Sequence, residues 1–548
     1  MKELVARFVS WYGRGQRWWV PLILGVVYPL AFPPVNHQSH LLLAPFPLLG
    51  LIILVPVFSL AMQPSFKRAA FHTYLFGVAA SFGQYYWVAG VAAEGMRHLL
   101  VLGSVLMSMF LALYLAVPGL LFRLVCMRFK RTYIIIFPCL WVLFEFFRGW
   151  GELSFPWNYL GYVFVPLLPL AQLASIAGVF GLSFVAVLGN ILVWEVARSY
   201  YRKKDIIQKW LHLVVFAAAL GIAAIWGSVR LGGEPAGRYP PVTVSLLQTN
   251  MDQAHWGSGS LDTCMDITGA MVYQAARDKP DLLVMPESAL FCYMARRPWA
   301  RKRVMAWSDS AGVPMILGSL HWERDSINQL RPDYRVYNTA FFLDTGTTSF
   351  RSYFKIRLLP FSEVMPFEAQ VPLLNRVNLG EADFTRGTEE TVFSLHKDIR
   401  AAPFICFEIV FPEFVRRRVR AGANLLVNIT NDGWWGRSSG PYHHAAQARL
   451  RCIENGVPMV RCANSGISMF VDQWGRVLSK TELGTRTILT RDLNLSRVST
   501  LYTRAGEWIL LAALFIAVAA LLYVIVQAAI ARWRQTNRSL VSDSQASG

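Results

Sequence analysis

The sequence predicts a membrane α-helical bundle of eight spans that carries an external α/β domain, a two-sheet sandwich covered by helices. Three observations lead there. Apolar stretches near the ~20 residues needed to cross a bilayer recur seven times before residue 230 and once after residue 506. Between them, strand-like apolar runs alternate with helical ones, the signature of layered sheets and helices. Three ionisable residues, Glu287, Lys355 and Cys406, sit just past or beside those strand-like runs.

The spans come first in the chain. Of 548 residues, 54% are hydrophobic and 16% charged, against about 25% charged in an ordinary soluble domain. Mean hydropathy is +0.36. The stretches run over 19–34, 41–62, 69–93, 99–127, 133–148, 168–196, 210–229 and 507–530, and the fifth, which is short, closes on Glu145 and Arg148. Charged residues at a span end either cap and snorkel or serve a function. No small-residue cleavage site follows the first stretch, so no cleaved leader is expected. Basic clusters precede span one (Lys2, Arg7, Arg14, Arg17) and follow spans two (Lys67, Arg68), four (Arg128, Lys130, Arg131), six (Arg198, Arg202, Lys203, Lys204) and eight (Arg532, Arg534, Arg538). The positive-inside rule then places both termini in the cytoplasm. The expected division is a seven-span bundle over 1–229, an external domain over 230–505, an eighth span over 506–531 and a polar cytoplasmic tail over 532–548, disordered after 535. The formal net charge of +19 is partly this topogenic signal and suits anionic headgroups. With no basic-aromatic motif, nucleic acid is not expected as a partner.

The external elements follow in order. VTVSLLQT (242–249) alternates and reads as a strand, and 261–277 has helical spacing. DLLVMPE and VPMILGSL read as buried strands flanking a helix at 299–311. VYNTAFFLD and TSFRSYFKI form a hairpin across Asp344, Thr345 and Gly346. RAAPFICFEI is a strand running into a tight turn and a helix at 412–421, and NLLVNITNDGWWG repeats the strand-then-loop pattern. A helix at 441–455 and strands at 458–463, 466–472 and 475–480 close the domain. Seven cysteines give no metal-ligand spacing, so no metal is expected, and the thiol chemistry that follows requires no cofactor. Five of them are external, an odd number that leaves at least one thiol free within the chain. Cys406 is the candidate, and pairing among Cys264, Cys292, Cys452 and Cys462 stays open.

A carboxylate, an ammonium and a thiol are the parts needed to make and use a thiolate, the form of cysteine that attacks. Each has a bland reading. Alone, Cys406 is a small core hydrophobe, Glu287 an acid at a helix start and Lys355 a solvated strand residue. Together, in matching contexts, they read as a triad. At this point a resemblance enters. PES (286–288), YFK (353–355) and ICFE (405–408) resemble the Glu–Lys–Cys motifs of the nitrilase or carbon–nitrogen hydrolase superfamily. Over nearly its full length the chain resembles the apolipoprotein N-acyltransferase family, through FEFFRGW (144–150), FPWNYLGY (155–162), QTNMDQAHW (248–256), YNTAFFLD (337–344), LLPFSEVMP (358–366), NDGWWG (431–436) and LYTRAGEW (501–508). It departs at Phe407, where those enzymes usually carry tyrosine, and at Ser362 and Val364.

The resemblance implies a nitrilase-like αββα domain outside a bacterial inner membrane. It implies a phospholipid acyl donor, a diacylglyceryl-cysteine lipoprotein acceptor and a thioester on Cys406. It also brings Glu363 and Glu408 into the active site, where the bland reading makes them ion-pair partners of Arg357 or Arg416, and Asn338 close to substrate, where the bland reading is a turn. The Phe407 N–H would help to hold the oxyanion. Trp256, Trp434 and Trp435 are either interfacial aromatics or gate and lipid contacts. A tethered amidase would share the triad but needs only one anchor. A transporter would need ionisable residues in the middle of several spans, and these spans have few.

Overall fold

The computed structural model describes residues 18–33, 47–90, 97–233, 241–251, 260–324, 334–368, 370–371, 384–495 and 498–546. The helical region contains α1 (Val20–Val27), α2 (Val55–Ala61), α3 (Phe66–Tyr85), α4 (Arg97–Leu111), α5 (Leu113–Arg128) and α6 (Tyr133–Arg148). It continues through the short α7 (Leu168–Ala171), α8 (Ala174–Arg202) and α9 (Ile206–Gly232). Apolar side chains meet in an aromatic centre, where Phe58 stacks on Phe122 at 4.2 Å and Phe137 and Trp194 pack edge-on against both. Helix α8 breaks at Gly178, whose φ of 63° is left-handed. A Cβ there would lie 2.6 Å from the Tyr502 ring, so only glycine allows that close approach.

Four described stretches are long and apolar enough to cross a membrane: His98–Arg128, Ala174–Arg202, Ile206–Gly232 and Trp508–Gln535. Val20–Ala31 and Leu48–Ala61 are shorter apolar helices, and part of the expected second span lies outside the described residues.

The α/β domain holds two six-stranded sheets. Their strands are β1 (Val242–Gln248), β2 (Leu282–Val284), β3 (Met315–Arg324), β4 (Tyr334–Leu343), β5 (Arg351–Phe354) and β6 (Phe393–Ser394). After them come β7 (Arg400–Ile405), β8 (Leu425–Thr430), β9 (Met459–Ala463), β10 (Met469–Val471), β11 (Val477–Lys480) and β12 (Thr487–Leu493). The order is β12-β1-β2-β3-β4-β5 in one sheet and β11-β10-β9-β8-β7-β6 in the other. Side chains alternate between faces. Val244, Val284 and Ile316 meet Ile405, Val427 and Val460 between the sheets. The outer faces carry Leu247, Leu283 and Met315 on one side and Phe404, Leu426 and Met459 on the other.

Helices α10 (Ser260–Ala276) and α11 (Pro298–Ala311) cover the first outer face. Helices α12 (Pro412–Arg420) and α13 (Gly440–Asn455) cover the second. Burial on both faces is why the central strands read as near-continuous apolar runs. The expected αββα layering is what the chain forms.

Helix α13 belongs to two cores. Ala445, Ala448 and Cys452 pack in the sheet layer, while Leu450 and Ile453 pack in the bundle. Polar ties reinforce the join: Arg451 Nη2 donates to the Tyr162 hydroxyl at 3.0 Å, and Glu454 Oε1 accepts from the Val179 N–H at 2.9 Å. After β12 the chain turns through α14 (Leu501–Ala505) into α15 (Trp508–Ala546). The tail expected to be disordered after 535 is instead helical to Ala546, because no Gly or Pro between 508 and 546 stops the helix.

Two strands lay outside the sequence reading, β6 and β12. Strand β6 is two residues long. Strand β12 is an edge strand with Thr490, Arg491 and Asp492 among its side chains, and it pairs antiparallel with β1.

Candidate active site

Each residue of the expected triad is the first side chain, or nearly so, after the end of a sheet strand. Glu287 follows β2 across Met285 and Pro286. The turn packs against Gly318 of β3, where a Cβ would meet the Pro286 carbonyl oxygen at 2.5 Å. Lys355 directly follows β5, and its N–H extends the ladder by donating to the Asn338 carbonyl at 2.9 Å. Cys406 directly follows β7 and opens the one-turn helix Cys406–Val410. Its φ of 49° is left-handed, a strained setting for a residue with a Cβ.

Buried polar contacts fix the carboxylates. Glu287 Oε1 accepts from Asn338 Nδ2 at 2.7 Å and from Lys355 Nζ at 3.4 Å, and its Oε2 accepts from the Asn431 N–H at 2.9 Å. Glu363 Oε1 accepts from Lys355 Nζ at 2.8 Å and Asn338 Nδ2 at 3.1 Å. The ammonium is 1% exposed. Asn338 is therefore a mid-strand bridge between two carboxylates, not a turn residue.

Glu408 is no side-chain partner of Arg416, which pairs with Glu413 at 2.7 Å. Its Oε1 accepts from the Tyr353 hydroxyl (2.6 Å), the Ile356 N–H (2.7 Å) and the Arg357 N–H (3.1 Å), and its Oε2 from the Ile405 N–H (2.8 Å). It thus clamps the loop after Lys355 to the turn that presents Cys406.

Electrostatics follow from this packing. Burial pushes the Glu287 carboxyl above its ordinary range, against the pull of Lys355. Burial opposes the Lys355 ammonium, yet Glu363 and Glu287 outweigh it and raise its pKa. Burial and the Glu287 charge push the Cys406 thiol up, with Lys355 opposing. The sulfur thus favours its S–H form, within the field of both charges.

Phe407 points away into an aromatic wall with Phe155, Trp157 and Phe411. Trp157 reaches there because Glu145 Oε1 accepts from the Leu160 N–H (2.7 Å) and Arg148 Nη2 donates to the Trp157 carbonyl (3.0 Å). The two charges at the end of α6 hold that segment. Trp434 is half-buried in the short helix Asp432–Trp435 beside Asn431, and Trp435 packs on Trp87 and Trp157 at 4.9 and 5.3 Å. Trp256 lies outside the described residues. All five cysteines of the α/β domain are thiols, and among the described residues no cluster suits a metal.

Sequence reasoning missed a buried group behind the thiol. Asp432, His444 and Arg461 bond to one another and, through His444, to the Cys406 carbonyl. The motif NDGWWG contains Asp432, but nothing in YHHAAQARL separates His444 from its neighbour His443.

Comparison with known proteins gives two adjoining matches. The carbon–nitrogen hydrolase family model matches residues 243–502, and a model of the apolipoprotein N-acyltransferase N-terminal domain matches residues 24–192. An apolipoprotein N-acyltransferase of Geobacter metallireducens is 32% identical over 492 residues, spanning 89% of this chain and 91% of that protein. One of Pasteurella multocida is 28% identical over 496 residues, spanning 89% and 92%. A solved variant of a Nesterenkonia amidase from the nitrilase superfamily is 18% identical, with a TM-score of 0.37, over 50% of this chain and 97% of its own.

Proposed function

Because the chain belongs to the apolipoprotein N-acyltransferase family, and so acylates lipoproteins at their N-terminus, we propose that Glu287, Lys355 and Cys406 carry the transfer in two half-reactions. The observation that carries this reading is the convergence of three strand ends on one buried site, with Lys355 Nζ 3.4 Å from the Glu287 carboxylate. In the first half-reaction Glu287 takes the Cys406 proton and the thiolate attacks the sn-1 ester carbonyl of a membrane phospholipid. The Lys355 ammonium and the Phe407 N–H stabilise the tetrahedral oxyanion. The ester C–O bond breaks, Glu287 returns its proton to the leaving lysophospholipid oxygen, and an acyl thioester remains.

In the second half-reaction the α-amine of a diacylglyceryl-cysteine attacks that thioester. The C–S bond breaks, and the amine proton passes through Glu287 to the Cys406 sulfur. Glu363 and Asn338 hold Lys355 and Glu287 in register, and Trp434 flanks the approach.

Both substrates are lipids, which gives the helical bundle a purpose that a soluble amide would not. We read it as seven spans over 1–229 and an eighth over 506–531, with both termini cytoplasmic and the 230–505 domain outside a bacterial inner membrane. Reporters fused after 204 and 534 should read cytoplasmic and one near 390 external. An inside signal at 390 would remove the lipoprotein acceptor from reach.

The chemistry is tested by incubating the purified protein with phospholipid alone. The peptide containing Cys406 should gain one fatty acyl mass, lose it to hydroxylamine, and pass it to an added diacylglyceryl-cysteine peptide as an amide. Cys406→Ala should give no adduct, and Glu287→Gln and Lys355→Ala at least ~100-fold less transfer, since residues acting as a unit fail together. Free fatty acid released without an acceptor would indicate a hydrolase.

A further inference from the structure

The Asp432–His444–Arg461 group is buried directly behind the nucleophile turn, and its side chains contact no proposed substrate position. All three are buried, with His444 and Arg461 at 0% exposure. His444 Nε2 lies 3.1 Å from the Cys406 carbonyl oxygen. A carbonyl only accepts, so this nitrogen must carry the hydrogen. The other ring nitrogen, Nδ1, lies 2.9 Å from Asp432 Oδ1 and 3.1 Å from Arg461 Nη2. Asp432 is itself fixed, accepting from Thr430 Oγ1 at 3.0 Å and Arg461 Nη2 at 2.7 Å. The Trp157 and Trp435 rings pack on the imidazole at 5.4 and 5.6 Å. The ring therefore has one orientation.

What that orientation controls follows from peptide geometry. The Cys406 carbonyl and the Phe407 N–H belong to one planar peptide unit, antiparallel across it. A donor that pins the carbonyl oxygen pins the N–H on the opposite edge. A hydrogen bond accepted by a carbonyl also polarises its amide and strengthens the N–H as a donor. The turn needs such a restraint, because Cys406 is held at a left-handed φ of 49°.

We infer that His444 is a positioning residue for the oxyanion site: its Nε2–H holds the Cys406–Phe407 peptide plane so that the Phe407 N–H faces the developing oxyanion. This rests on the proposed role of the Phe407 N–H in thioester formation. It assigns a catalytic consequence to a side chain that need not touch substrate.

The test uses two amides of different reach in the full-length protein. In His444→Gln the side-chain nitrogen reaches the Nε2 position and keeps the donor to the Cys406 carbonyl. In His444→Asn it reaches only the Nδ1 position and keeps the Asp432 side. Acylation is followed in single turnover with phosphatidylethanolamine and phosphatidylglycerol in detergent micelles, and the thiol is probed separately with iodoacetamide. Alkylation needs the nucleophile and its base but forms no oxyanion.

Outright loss of an oxyanion donor lowers rates about 100- to 1,000-fold, so an N–H turned out of line should lower acylation roughly 10- to 100-fold. The expected result is that loss in His444→Asn, in the limiting single-turnover rate more than in the half-saturating phospholipid concentration, acylation within about threefold of the parent in His444→Gln, and unchanged alkylation in both. Equal acylation in the two variants, or alkylation falling in step with acylation, would overturn the inference and leave His444 a purely structural residue. An unsubstituted protein that alkylates but never acylates would instead bring down the thioester reading, and this inference with it.

Discussion

At the residue scale, the site is a balance of burial against charge. Under the proposed mechanism Glu287 must be ionised to accept the Cys406 proton, and burial raises its pKa above the ordinary 4.5. Sign follows directly: a base with a raised pKa loses activity as pH falls through that raised value. The acid limb of the acylation rate should therefore have its midpoint above the ordinary 4.5. Single-turnover acylation measured from pH 4 to 8 checks this, and a midpoint at or below 4.5 would contradict it. Glu287, Lys355 and Cys406 were legible because each stands in a short motif beside an apolar strand. Asp432, His444 and Arg461 were not, because Arg461 meets Asp432 across 29 residues and His444 meets Cys406 across 38. Only the paired strands β8 and β9 and helix α13 bring them together.

At the element scale, the strand ends present the chemistry and Glu408 keeps them in register. One carboxylate accepts four hydrogen bonds from two segments, the Lys355 side (Tyr353, Ile356, Arg357) and the Cys406 side (Ile405). In Glu408→Gln one of the two acceptor atoms becomes a donor, so at least one buried N–H or O–H loses its partner. Leaving a buried group unsatisfied costs about 1–3 kcal/mol. The variant should unfold at a lower temperature and acylate more slowly, and thermal unfolding with the adduct assay measures both. Most elements were readable from alternation and helical spacing: β1, β2, β7 and β8 and the helices α10 to α13 all fall where the pattern put them. Strand β12 escaped because its half-exposed polar residues leave no apolar run, and its place at a sheet edge is decided by pairing with β1. The helical tail escaped for the opposite reason, since polar composition alone does not end a helix.

At the scale of the whole molecule, composition disclosed both halves but not the join. The join is α13, and its Glu454 carries a testable signature. Burial pushes its carboxyl up to about 7, with Arg451 and the Val179 N–H opposing. A folded pKa raised above the ordinary 4.5 contributes stability that is fully present below about 4.5 and lost as pH rises through 7. For this fully buried group the change amounts to roughly 3 kcal/mol. The parent should lose thermal stability between pH 5 and 8 relative to Glu454→Gln, and parallel slopes for the two proteins would show the effect absent. The same helix has a consequence for the order of synthesis. Residues 174–202, which receive α13, leave the ribosome long before residues 440–455. His444, which backs the Cys406 turn, rides on α13, so one helix supports both that turn and the seam with the bundle. Prising residues 440–455 away from 174–202 would bare Leu450 and Ile453 and loosen the support of the Cys406 turn in the same step.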